Sequence, residues 1–144
     1  METLSIDPQT VDIDELIERG THLHGHLGPF LIAGIRMGLL ALELLGSRGY
    51  FGIEAESETG TITPLSCLTD GVQVGSGCTL GKGNIRVTDE RRPRVHFSDE
   101  TGKRVTIELR SSITQGFLNG DLNEQGAIAR EKAREELFVW EASQ

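Results

Sequence analysis

Three histidines at alternate positions, His22, His24 and His26, lie within THLHGHLGPF, residues 21–30. Imidazole nitrogen binds transition metals, and a neutral ring can also polarise a substrate. On an extended backbone alternate side chains point to one face, so this spacing would present all three rings together. On a helix only His22 and His26 would share a face. Gly20, Gly25 and Gly28 disfavour a continuous helix here, and the extended form is expected. Gly28-Pro29 reads as a helix start, with glycine at the cap and proline at the first helical position. His26 would then lie near a helix N-terminus, whose positive end favours the neutral ring.

Sulfur is supplied by Cys67 and Cys78. Cys78 belongs to GSGCTLGKGN, residues 75–84, where four glycines in ten residues permit unusual dihedrals or close approach to a ligand. The stretch fails as a Walker loop, because Ser76 and Gly83 stand where glycine and Ser/Thr are required. It fails as a dinucleotide fingerprint because Leu80 stands where glycine is required. What remains is a loop presenting Cys78, Thr79, Lys82 and Asn84, suited to an anion or a thiolate. Thr63-Pro64 is expected to open a short helix through about Val74, on which Cys67 and Asp70 share a face and Gln73 follows three residues later.

The elements that would position these groups follow from periodicity. Apolar residues at Val11, Ile13, Leu16 and Ile17 predict a first helix, which Gly20 is expected to stop. Residues 29–45 are apolar nearly all round, the mark of a central helix covered on most sides. Arg36 and Glu43 form its one polar stripe, and Ala33, Gly34 and Gly38 allow a neighbour to approach closely. The run is short for a membrane span and carries two charges, so no membrane segment is expected. Residues 50–58 alternate as a strand with one wet face. Residues 84–89, 94–97 and 104–110 read as an antiparallel meander, with His96 on its wetter face, and residues 122–140 as a terminal helix capped by Asp121. The fold class is α+β: an antiparallel sheet packed with a central apolar helix and a C-terminal helix, in one domain spanning residues 1–144.

The 22 acidic against 14 basic residues give a net charge of −8, which argues against a nucleic-acid surface. Two cysteines and no signal peptide point to a reduced cytoplasmic protein. An all-round apolar helix in a chain of 144 residues also suggests a homodimer.

HGHLGP, then AGIRMG, then CLTDGVQVGSGCTLGKGN resembles the FmdE family, named for a protein encoded with formylmethanofuran dehydrogenase in methanogens. His24, Gly25, His26 and Pro29 follow its first motif and Arg36 its second element. Cys67, Asp70, Gln73, Cys78, Thr79, Gly81, Lys82, Gly83 and Asn84 follow its third. The resemblance implies an α+β core. It departs at Gly28, where the family usually has cysteine, and in carrying no CxxC pairs of the kind found in the zinc finger of many members, so a core-only member is expected.

The site expected from these residues is a divalent metal centre in a cleft, with His24 and His26 from one wall and Cys78, with Cys67 as a further thiol, from the other. Nitrogen with thiolate suits zinc first, and nickel, iron or copper as well. Asp70, with Gln73 and His22, would orient the ligands. Arg36, Thr79, Gly81, Lys82, Gly83 and Asn84 would hold a cofactor or an anionic small molecule. An ion with an open position would activate water or polarise a carbonyl. Two other readings stand beside this one. One is an accessory protein without a metal, binding a molybdenum- or tungsten-dependent oxidoreductase; the other is a redox pair formed by Cys67 and Cys78, which needs bridging distance.

Overall fold

The computed structural model describes residues 2–143. Helix α1 (Ile13–His24) starts at Asp12, whose carboxylate accepts from the Asp14 amide at 3.0 Å, and ends at Gly25, whose φ of 97° is left-handed. The helix thus runs through Gly20 instead of stopping there. Gly20 is buried against α2, where a Cβ would lie 3.0 Å from Ile35 Cδ1, so the glycine permits contact and the positive φ of Gly25 does the stopping. His22 and His24 are consequently helical, and the expected extended presentation of three rings does not form.

Helix α2 (Pro29–Leu45) follows, with Gly28 as N-cap and Gly46 as a left-handed C-cap, as the sequence predicts. Thirteen of its seventeen residues are buried. It packs against α1 and the later helices and sheet of the same chain, so its apolar circumference is covered without a second copy. Its closest neighbour is α3 (Cys67–Ser76). A Cβ on Gly34 would stand 2.0 Å from the Leu68 carbonyl oxygen, and one on Gly71 2.1 Å from that of Leu31. Gly38 and Gly75 repeat the pattern a turn further along. Only hydrogen atoms fit at this crossing, so the two backbones touch.

Helix α3 begins later than the sequence suggested. The Thr63–Pro64 peptide is cis, residues 64–66 form turns, and Ser66 is the N-cap. The helix also ends later, placing Gly75 and Ser76 inside it and leaving Gly77 as the left-handed cap. The glycine-rich stretch therefore divides: Gly75 serves helix packing, and a 3-10 turn (Leu80–Lys82) occupies the remainder.

The sheet has the order β2-β1-β3-β4-β5. Strand β1 (Ile53–Ser57) pairs in parallel with β2 (Ile85–Val87) and antiparallel with β3 (Arg94–Asp99). The expected meander is therefore interrupted, since β2 and β3 lie on opposite sides of β1. The crossing is held where the Glu58 carbonyl accepts from the amides of Glu90 and Arg92. Strand β4 (Arg104–Leu109) continues the sheet, and Val95, Phe97, Val105, Ile107 and Leu109 point to the helices. The alternate face carries cross-strand pairs such as Arg86–Glu56 and Arg94–Glu58.

After α4 (Ser111–Asn119), the expected terminal helix is broken into α5 (Leu122–Glu131), the single turn α6 (Arg134–Leu137) and strand β5 (Phe138–Ser143) on β4. Phe138, Val139 and Trp140 are strand-forming residues, and edge pairing with β4 prevails over the helical period. No helix among the described residues is long and apolar enough to cross a membrane.

Candidate metal centre

Helix α1 ends on His24, and the left-handed turn at Gly25 swings His26 back so that the two rings lie 4.5 Å apart, centroid to centroid, at 38°. Cys67 is the first residue of α3. One ligand atom from each of His24, His26 and Cys67 falls within 4.8 Å of the others. The three come from two helix ends, which is why contiguous spacing did not define the set.

His24 is the best-defined member. Its Nδ1 lies 2.6 Å from Asp70 Oδ2, and its side chain is 10% exposed. A carboxylate only accepts, so the proton sits on Nδ1 and the lone pair on Nε2. Nε2 is buried and has no hydrogen-bond partner. Leaving such an atom unpaired costs about 1–3 kcal/mol, and a cation shared with His26 and Cys67 would remove that cost. The donor set fits a borderline metal such as zinc. A carboxylate on the far nitrogen of a ligating imidazole is the usual way of fixing its tautomer and raising its basicity. Asp70 Oδ1 in turn accepts from Gln73 Nε2 at 3.2 Å.

Cys67 is buried, and its thiol pKa is raised by that burial and then by the negative charge of Asp70. Coordination would therefore have to displace a proton from sulfur. His26 is exposed and leaves the centre open to solvent on its side.

Cys78 must be corrected as a ligand. It is fully buried, its Sγ–H points to the Ile53 carbonyl at 3.7 Å, and burial raises its pKa. It stands beyond the far end of α3 from Cys67, a helix of ten residues and thus roughly 13 Å long. Both thiols are free, and that span is far beyond the ~4.4–6.8 Å between Cα atoms that a disulfide requires. The redox-pair reading has no geometric support. His22 lies exposed on α1, outside the cluster.

The groups expected to hold an anion hold the loop instead. Lys82 Nζ donates to the Gly77 carbonyl and to Thr79 Oγ1, both at 2.8 Å. Asn84 Oδ1 accepts from the Thr79 amide, and its Nδ2 donates to the Tyr50 carbonyl. Gly83 supplies a φ of 72° that closes the 3-10 turn, while Gly81 has open space around it. Arg36 donates to the carbonyls of Ala129 and Lys132 and so caps the C-terminus of α5. It belongs to the fold and not to the site.

Sequence reasoning missed a cleft of about 670 Å³ beside the cluster, with His24, Asp70 and Gln73 on one wall and Leu80, Ile85 and Val87 on the other. Much of it is built by residues 60–66, whose composition carries no periodic signal.

Fold and site together define an α+β protein with a His/His/Cys group able to hold a metal ion, set beside a small-molecule-sized cleft. Residues 23–143 match the family described as "FmdE, Molybdenum formylmethanofuran dehydrogenase operon", and the chain belongs to this FmdE family. A protein of Archaeoglobus fulgidus named "Probable S-adenosyl-L-methionine-binding protein" is 37% identical over 84 residues, covering 58% of this chain and 23% of that protein. The chain thus matches under a quarter of that relative's length. The crystal structure of an FmdE-like protein of the tungsten formylmethanofuran dehydrogenase type, from Syntrophus aciditrophicus, superposes with a TM-score of 0.66 at 20% identity, over 99% of this chain and 77% of the other. That likeness establishes the shared fold.

Proposed function

We propose that this FmdE-family chain binds one divalent ion, zinc in the first instance, on His24 Nε2, a ring nitrogen of His26 and Cys67 Sγ. The observation that carries the reading is the partnerless, buried Nε2 of an imidazole whose other nitrogen is already fixed by Asp70. Bound to three protein donors, such an ion retains a position for water or a substrate oxygen and acts there as a Lewis acid. The chain's own residues prepare the site. Asp70 holds the His24 tautomer, Cys67 surrenders its proton, and the cleft beside His24 gives a small organic molecule room to approach.

The family description supports a role beside formylmethanofuran dehydrogenase or another molybdenum- or tungsten-dependent oxidoreductase. S-adenosylmethionine, after which the A. fulgidus relative is named, is the first compound to titrate against the cleft. Elemental analysis of the protein purified without chelator tests the metal reading. Close to one equivalent of metal is expected in the wild type and a trace in His26→Ala; equal, negligible content in both would remove the proposal. Co-purification with the dehydrogenase tests the accessory role, and separate elution of the two proteins would count against it.

A further inference from the structure

One run of hydrogen bonds leads away from the proposed centre to the exposed turn after α3. The Leu80 amide donates to Gln73 Oε1 at 3.3 Å, Gln73 Nε2 donates to Asp70 Oδ1 at 3.2 Å, and Asp70 Oδ2 faces His24 Nδ1 at 2.6 Å. The backbone N–H settles which end of the Gln73 carboxamide faces the turn, the amide nitrogen then faces the carboxylate, and the carboxylate takes the imidazole proton. Its last member is the unpaired Nε2. His24, Asp70, Gln73 and Leu80 all line the same cleft, and Leu80 is 80% exposed there.

We propose that Gln73 is a positioning residue which transmits the backbone geometry of the Leu80–Lys82 turn to the metal-facing nitrogen of His24, so that the turn sets the affinity of the metal site. The inference rests on the metal site proposed above. Asp70 is 38% exposed and bonded to only two side chains. Without the carboxamide it is free to turn its oxygens toward water, and the His24 tautomer then loses its constraint. A molecule filling the cleft touches the turn and the ligand's support together, so occupancy and metal affinity are linked reciprocally.

Residue 80 allows a one-atom test. It opens the 3-10 turn, and Thr79 before it is extended (φ −137°, ψ 151°), which suits the residue preceding a proline. Leu80→Pro therefore deletes the N–H that Gln73 accepts while keeping the backbone path. Leu80→Ala keeps the N–H and removes only the side chain. Zn²⁺ affinity is measured by competition with a chromophoric chelator for wild type, Leu80→Ala, Leu80→Pro, Gln73→Leu and the Gln73→Leu/Leu80→Pro double variant. Gln73→Leu is expected to weaken binding about tenfold or more and Leu80→Pro about three- to tenfold. Leu80→Ala should leave it unchanged, and the double variant should match Gln73→Leu alone.

A second readout is taken on metal-free protein, where long-range ¹H–¹⁵N spectra report the His24 tautomer. The Nδ1–H form should dominate in wild type and lose population in Gln73→Leu and Leu80→Pro. A folded Gln73→Leu protein with wild-type affinity and tautomer overturns the proposal, as does a Leu80→Pro effect equally large in both backgrounds. Should wild type bind no Zn²⁺ while the tautomer still responds to Leu80→Pro, the metal reading fails and the relay stands.

Discussion

Substituting alanine at Gly34 should separate the two helices that carry the site. A Cβ there would sit 2.0 Å from the Leu68 carbonyl oxygen, and real Cβ contacts do not fall below 3.0 Å. Helix α3 would have to retreat by at least an ångström. Both crowding partners are backbone, so no rotamer change relieves the clash. Overpacking in a well-packed interior costs about 1–3 kcal/mol and occasionally more. With rigid partners the upper end applies, about 3 kcal/mol, from which alanine's better helix propensity returns about 1. The net of about 2 kcal/mol corresponds to a fall in Tm of about 6 °C for a domain of this size. Gly126→Ala in α5 is the control, because a Cβ there meets nothing within 4 Å. It should stabilise by about 0.5–1 kcal/mol through propensity alone. Thermal melts followed by circular dichroism compare the two. Because Cys67 and Asp70 ride on α3, Gly34→Ala should also lower zinc affinity while Gly126→Ala does not. A Gly34→Ala protein melting at or above wild type would refute the close-contact account of this crossing.

Burial would raise the pKa of Glu58, but hydrogen bonds from Arg94 and His96, with their charges, outweigh it and hold the carboxyl below its ordinary value. Its contribution to stability is thus complete above the unfolded pKa and is lost as pH falls through the folded one. Glu58→Gln should cost about 1–3 kcal/mol in a denaturant titration at neutral pH, with the gap closing as the carboxyl protonates in acid; a gap independent of pH would contradict this. Arg36→Met should destabilise by about 1–3 kcal/mol, since the carbonyls of Ala129 and Lys132 lose their donor. Metal content should not change, and a loss of metal at constant stability would return Arg36 to the site. Gly28 has extended dihedrals that any residue adopts, and a Cβ there would lie 3.8 Å from His26 Nε2. Gly28→Cys should therefore add a second thiolate and tighten zinc binding about tenfold or more, read by chelator competition; unchanged affinity would place that side chain away from the ion.

The parts of this fold legible in the sequence are those in which local chemistry and tertiary context agree. Gly28-Pro29 opens α2 and Gly46 closes it because cap, proline and apolar period all point the same way. A helical offset of three puts Asp70 beside Cys67, and tertiary packing does not alter that. Glycine misleads wherever two roles share one residue type. Gly20 and Gly75 look like breaks yet lie inside helices, since what they avoid is a neighbour's side chain or backbone and no sequence window contains that neighbour. The same limit explains the exchange of thiols. Cys78 sits in the more conspicuous motif, but its sulfur faces the interior beside Ile53, while Cys67 starts a helix whose end abuts α1. Residues 138–140 fit a helical period when taken alone; the partner strand β4 makes them part of an edge strand.

The central claim is that Cys67, and not Cys78, joins the two imidazoles in holding the ion. Cobalt(II)-loaded protein reports it directly, because a thiolate bound to cobalt produces a near-ultraviolet charge-transfer band that imidazole ligands do not. The band is expected in wild type and in Cys78→Ser and absent from Cys67→Ser. A band that survives Cys67→Ser and disappears in Cys78→Ser would contradict the assignment of the site.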